Sequence, residues 1–188
     1  MIYLLLYQIH TACFLILLVL FPALVKAGSI EFKDFKIIGQ PEKYQVYTRV
    51  EFELTNSLRD ALLNGVTLKA RVQFRLGEHR SWWFNKDTTL LTVHYQLTYQ
   101  ALSQHYLLSR RDTGESWNYS TLPAILRKLG ELRKYNLPPI SEPLKNGDYY
   151  LFAIADIAPT TLELPLRFQS LFTNKYELTS EGILWPLP

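Results

Sequence analysis

From Val66 to Leu76 the chain alternates without a break. Val66, Leu68, Ala70, Val72, Phe74 and Leu76 are apolar, and Thr67, Lys69, Arg71, Gln73 and Arg75 lie between them. Successive side chains of an extended chain point to opposite faces, so this is a β-strand with one dry face and one wet face. A strand of this kind demands a second layer of structure over its dry face, which limits the chain to a few layered architectures. Directly before it, Asn56 to Gly65 reads as a two-turn helix. Ser57 with Asp60 three residues on forms a capping-box pattern, and Gly65 is placed to take the left-handed conformation that closes a helix. So short a helix is not stable alone, so Leu58, Ala61 and Leu62 must pack on strands.

The same period of two recurs along the chain. Tyr44, Val46, Thr48, Val50, Phe52 and Leu54 alternate with Gln45, Tyr47, Arg49, Glu51 and Glu53, and the mixed run from Ile30 to Ile38 pairs with them as a hairpin. Leu91, Val93, Tyr95, Leu97 and Tyr99 alternate with Thr92, His94, Gln96 and Thr98. Tyr106 to Leu108 continues this β structure, Arg110 to Glu115 is an exposed turn, and Trp117 and Tyr119 lie on the return. A longer helix starts at Ser120 or Thr121, with Pro123 in its first turn. Its apolar stripe is Leu122, Ile125, Leu126, Leu129 and Leu132, and its far side is basic. Pro138, Pro139 and Pro143 exclude regular structure up to Asn146-Gly147. Tyr149 to Ile157 is apolar on both faces, the mark of a central strand. Leu164-Pro165-Leu166 is a helix start, and the last run places Ile183 and Trp185 inward.

These elements predict a mainly β fold: an antiparallel β-sandwich, immunoglobulin-like or related, of seven or eight strands with two or three short helices. The alternative is an α+β open antiparallel sheet with helices on one face. With 188 residues the chain suits a single domain, here 28–188.

The first 25 residues form a separate physical object. Met1 to Val25 contains no charged side chain and includes the apolar run Ala12 to Phe21. Val25-Lys26-Ala27 fits a secretory cleavage site just before Gly28, so residues 1–27 read as a signal peptide. The alternative is an uncleaved anchor made by residues 1–25. Either way the expected location is exported, in the periplasm or held at the inner membrane. The only cysteine, Cys13, lies in this leader, so the domain after it has no thiol for a disulfide, a metal or redox work. Without Lys26 the balance is 19 bases against 17 acids, too slight to imply nucleic acid.

No reactive constellation stands out. His79, His94 and His105 lack the close spacing of metal ligands, no Gly-x-Ser-x-Gly elbow is present, and no glycine-rich strand-to-helix junction could cradle phosphate. Asp112 with Glu115 reads as turn chemistry. Asn118-Tyr119-Ser120 matches a glycosylation triplet. One surface is worth naming: Lys69, Arg71 and Arg75 share a wet strand face, with Arg80, Trp82 and Trp83 just beyond. Basic groups flanked by Trp could dock on anionic phospholipid or on an acidic protein patch. The plainer account is solubilising edge charges beside core aromatics.

Several landmarks occur together and in order: Leu58, Ala61-Leu62, Asn64-Gly65-Val66, Trp82-Trp83, Tyr95 with Leu97, Leu122 to Leu129, Tyr149, Leu164-Pro165-Leu166 and Trp185. In these the chain resembles a domain-of-unknown-function family of exported proteins of Gram-negative bacteria, often encoded near a two-component sensor kinase of the nitrogen-regulation type. The resemblance covers the whole chain after the leader and brings no catalytic residues with it. One departure is Ala153-Ile154-Ala155-Asp156, where a basic residue is expected before the aspartate. What the resemblance implies is a periplasmic role tied to sensing. The expectation is therefore a non-catalytic, cofactor-free interaction module of the cell envelope, whose partner is an envelope protein such as a sensor kinase, or an anionic membrane surface. The second expectation is a carrier of a lipid or other apolar ligand between the sheets, and the third is an enzyme of unrecognised class.

Overall fold

The computed structural model describes residues 28–40, 43–78, 86–140, 149–160 and 176–187. The leader, Arg80, Trp82, Trp83 and Leu164-Pro165-Leu166 lie outside these residues. Among the described residues no helix is long and apolar enough to cross a membrane.

The protein is mainly β, with all pairings antiparallel. Strands β1 (Ser29–Ile38), β2 (Gln45–Glu53) and β7 (Glu131–Asn136) form a small sheet in the order β1-β2-β7. The large sheet contains β3 (Leu68–Glu78), β4 (Lys86–Gln100), β5 (His105–Arg110), β6 (Ser116–Tyr119), β8 (Tyr149–Pro159) and β10 (Ile183–Pro186), in the order β10-β8-β3-β4-β5-β6. A two-residue strand, β9 (Leu178–Thr179), also pairs with β8. Between β9 and β10, Ser180 stitches the chain to β8: its N–H donates to the Ala155 carbonyl at 2.8 Å, and its hydroxyl accepts from the Ala155 N–H at 2.9 Å.

The alternation in β3 survives from Leu68 to Phe74, where the pairing with β4 shifts register. Leu68, Ala70, Val72 and Phe74 are buried, and Lys69 and Arg71 are exposed. Val93, Tyr95 and Leu97 of β4, Leu108 of β5 and Leu151, Ala153, Ala155 and Ile157 of β8 share that buried face. They meet Val46, Val50 and Phe52 of the small sheet in a single core cluster. Helix α1 (Asn56–Leu63) sinks Leu58 and Leu62 into the same core. Its cap is Thr55 and not the Ser57–Asp60 pair: the Leu58 N–H donates to Thr55 Oγ1 at 3.1 Å. Gly65, at φ +84°, closes the helix, with Gly65 N–H donating to Leu62 and Val66 N–H to Ala61, each at 3.0 Å. These bonds hold Val66 back, so the strand begins at Leu68 rather than at Val66.

Helix α2 (Leu122–Gly130) buries Leu122, Ile125, Leu126 and Leu129. The apolar stripe extends on to Leu132, yet the helix stops at Gly130 and passes straight into β7. Gly130 lies against the Val50 carbonyl of β2 so closely that a Cβ would overlap it. Leu132 and Tyr135 then both face inward, three residues apart. A bulge between them allows this: Val46 opposes Tyr135 while Thr48 opposes Leu132, and Lys134 takes φ +58°. A second bulge explains the mixed pattern of β1. Lys33 opposes Arg49 and Lys36 opposes Tyr47, with Asp34 at φ +50°, so the inward set changes from Ile30 and Phe32 to Phe35 and Ile37.

Candidate functional site

The stripe Lys69, Arg71 and Arg75 does face outward, but from the middle of the large sheet, between β8 and β4, and not from an edge. Register puts it in company that β3 alone does not reveal. Arg75 stands opposite Phe152 of β8, and Phe152 opposite Leu184 of β10. Gln73 stands opposite Ile154, and Gly77 opposite Tyr150, which in turn faces Pro186. With strands about 4.8 Å apart, Leu184, Phe152 and Arg75 form one continuous row across three strands. Two glycines make room for its rings. The Tyr150 ring covers the place a Cβ would take on Gly77, and at Gly182 (φ +80°) a Cβ would come within 2.6 Å of the Phe152 ring.

The charges of this face are unevenly engaged. Arg71 Nε donates to Asp156 Oδ1 at 2.8 Å across the β3–β8 boundary, so the aspartate without a basic residue before it takes its partner from the neighbouring strand. Arg75 donates through Nη2 to Gln73 Oε1 at 2.9 Å, and its Nε is buried with no hydrogen-bond partner among the described residues. Lys69 is exposed, and Leu184 keeps 56% of its surface exposed. Tyr150, Phe152 and Ile154 are half-buried. The apolar second face of β8 is legible in the sequence as a buried face; in the fold it remains half open to solvent. Arg80, Trp82 and Trp83, the rest of the expected surface, lie outside the described residues.

A second polar grouping lies between the sheets. Tyr95 of β4 and Tyr135 of β7 share a hydrogen bond of 2.7 Å between their hydroxyls. The Arg110 guanidinium of β5 stacks 4.8 Å from the Tyr135 ring centre and grips Asp112 with Nε at 2.9 Å from both carboxylate oxygens. Burial, and then the bond to Tyr135, pushes the Tyr95 phenol well above its ordinary range. The hydrogen bonds from Arg110 hold the Asp112 carboxyl below the ordinary carboxylate range. Asp112 is thus an anchor for Arg110, and the group clasps the two sheets. His94 is exposed on the outer face of β4, and His105 Nδ1 lies 2.5 Å from the Ser103 carbonyl, so these two point to different neighbours.

A family model described as a domain of unknown function, DUF4390, matches residues 27–186. The chain belongs to the DUF4390 family. The match starts beside the proposed cleavage point and takes in every described element, so the DUF4390 domain and the two-sheet unit are one object. Neither the curated proteins nor the solved structures yielded a match.

Proposed function

We propose that this DUF4390 protein is a non-catalytic, exported module that works by contact with another protein of the cell envelope, with a sensor kinase as the first partner to test. The observation that carries the reading is the outer face of the large sheet. There Lys69, Arg71 and Arg75 sit beside half-buried Tyr150, Phe152 and Ile154 and exposed Leu184. Arginine and aromatic side chains on an open, partly apolar face are the composition of a contact surface. The uncharged stretch from Met1 to Val25 supports export. Core side chains of both sheets meet in one cluster at the middle of the molecule, which favours surface contact over carriage of an apolar ligand there.

The test places a photoreactive residue at Lys69 or at Leu184, with the exposed turn residue Leu102 as control, and crosslinks in living cells. Capture of one envelope protein from the first two positions and not from Leu102 is expected. Recovery of no envelope protein from Lys69 and Leu184, or a cytosolic product that retains its leader, would refute the reading. Partitioning onto anionic vesicles in place of protein capture would transfer the surface to the membrane.

A further inference from the structure

Among the described residues, the margins where the two sheets approach each other present backbone without a partner strand. Among the described residues β1 bonds only to β2, while β9 and β10 bond only to β8. An uncovered strand edge is a template for another strand. These two edges border one cleft of about 520 Å³, with Ile30, Glu31 and Phe32 on one bank and Thr179, Glu181 and Ile183 on the other. That volume falls among those of ligand sites. The cleft has stops at both ends. At one, Gly28 is packed so tightly that a Cβ would lie 2.8 Å from Leu178 Cδ1; at the other, the Phe35 and Trp185 rings meet at 5.8 Å. The bulge at Asp34 breaks the regular edge of β1, leaving Ser29 to Lys33 as its pairing stretch.

Charge narrows the occupant. Glu31 carries a bond from Lys33 Nζ at 2.6 Å, and Glu181 has no ion pair among the described residues, so the rim is net acidic. Resting on the protein-contact reading above, we infer that this cleft receives a short extended segment of a partner protein as an added strand on the edge of β1 that no described strand covers. A lysine or arginine of that segment lies between Glu31 and Glu181. Main-chain bonds supply affinity in this mode of recognition and alternate side chains supply selectivity. Ile30 and Phe32 line the apolar side, and the two carboxylates mark the basic position.

The experiment titrates the isotope-labelled full chain with a blocked peptide of alternating valine and threonine with one central lysine, about five residues long to match the pairing stretch residue for residue. Amide chemical shifts are the readout. Expected are saturable shifts confined to Ser29–Lys33 and Thr179–Ile183, loss of binding when alternate peptide nitrogens are methylated, and about tenfold weaker binding in Glu181→Lys. The inference is overturned by the absence of saturable shifts at those amides up to about millimolar peptide, by equal binding of the methylated peptide, or by a concentration-dependent dimer formed through β1. Envelope capture from Lys69 and Leu184 with an unresponsive cleft sinks this inference and leaves the contact reading standing. A responsive cleft with no envelope partner does the reverse.

Discussion

Gly130→Ala separates two accounts of the segment that joins α2 to β7 by the sign of a single stability change. If the helix followed its apolar stripe as far as Leu132, Gly130 would be an interior helical residue. Alanine there would then stabilise the protein by about 1 kcal/mol. In the structure the helix ends at Gly130, whose backbone lies against the Val50 carbonyl of β2 with no room for a Cβ. Forcing a methyl group into a packed contact costs about 1 to 3 kcal/mol, and here the obstacle is backbone, which yields less readily than a side-chain tip. Setting up to about 1 kcal/mol of helix preference against the upper part of that range leaves a net loss near 2 kcal/mol. For a domain of this size that corresponds to a fall in Tm of about 4 to 8 °C. Urea unfolding of both proteins is the assay, with a lowered midpoint and an unchanged slope expected. A variant as stable as the parent, or more stable, would refute the close approach of Gly130 to β2.

Thr55→Ala should lower stability by about 1 kcal/mol through loss of the cap on α1, while Ser57→Ala should stay within about 0.5 kcal/mol; urea midpoints in the reverse order would restore the Ser57–Asp60 pattern. Tyr95 and Tyr135 hold their protons more tightly folded than unfolded, burial being the first cause. Their contribution is therefore complete below about pH 10 and is lost as pH rises past it, by at most about 1.4 kcal/mol per pH unit for each phenol. Tyr95→Phe should flatten that alkaline decline, and an unchanged decline would exclude Tyr95 as its source. Asp156→Asn should cost about 0.5 to 1 kcal/mol by loosening the pair between largely covered Asp156 and half-exposed Arg71, and the cost should shrink in about 1 M salt. A salt-independent cost would mean that packing and not charge is at stake.

How far the sequence reveals this protein depends on whether a strand keeps its period. β3 up to Phe74, β4 from Leu91 onward and most of β2 are legible because each has one dry and one wet face, and the alternation survives into the fold as far as the register shift at Phe74 and Leu91. β1 and β7 are not, since a bulge in each shifts the inward set by one residue partway along. β7 was further disguised by Leu132, which continues the helical stripe of α2 although it belongs to the strand. The candidate surface follows the same rule. Lys69, Arg71 and Arg75 come from one strand and are found by alternation alone. Phe152 and Leu184 join them only through pairings to β8 and β10, and Arg71 meets Asp156 across 85 positions of sequence. Gly77 and Gly182 were the available local signal, because each clears space for a ring on the outer face. The clasp of Tyr95, Tyr135 and Arg110 has no local signature, as its members come from three strands of two sheets.

The most direct measurement is recovery of the envelope partner by general chemical crosslinking in cells, comparing the parent protein with a double variant, Lys69→Glu with Leu184→Asp. Both side chains are exposed, so the fold should be unperturbed and stability should change by no more than about 0.5 kcal/mol for each. Loss of the crosslinked partner at unchanged Tm is the result expected of a protein that works through this face. Undiminished capture by a folded double variant would contradict it.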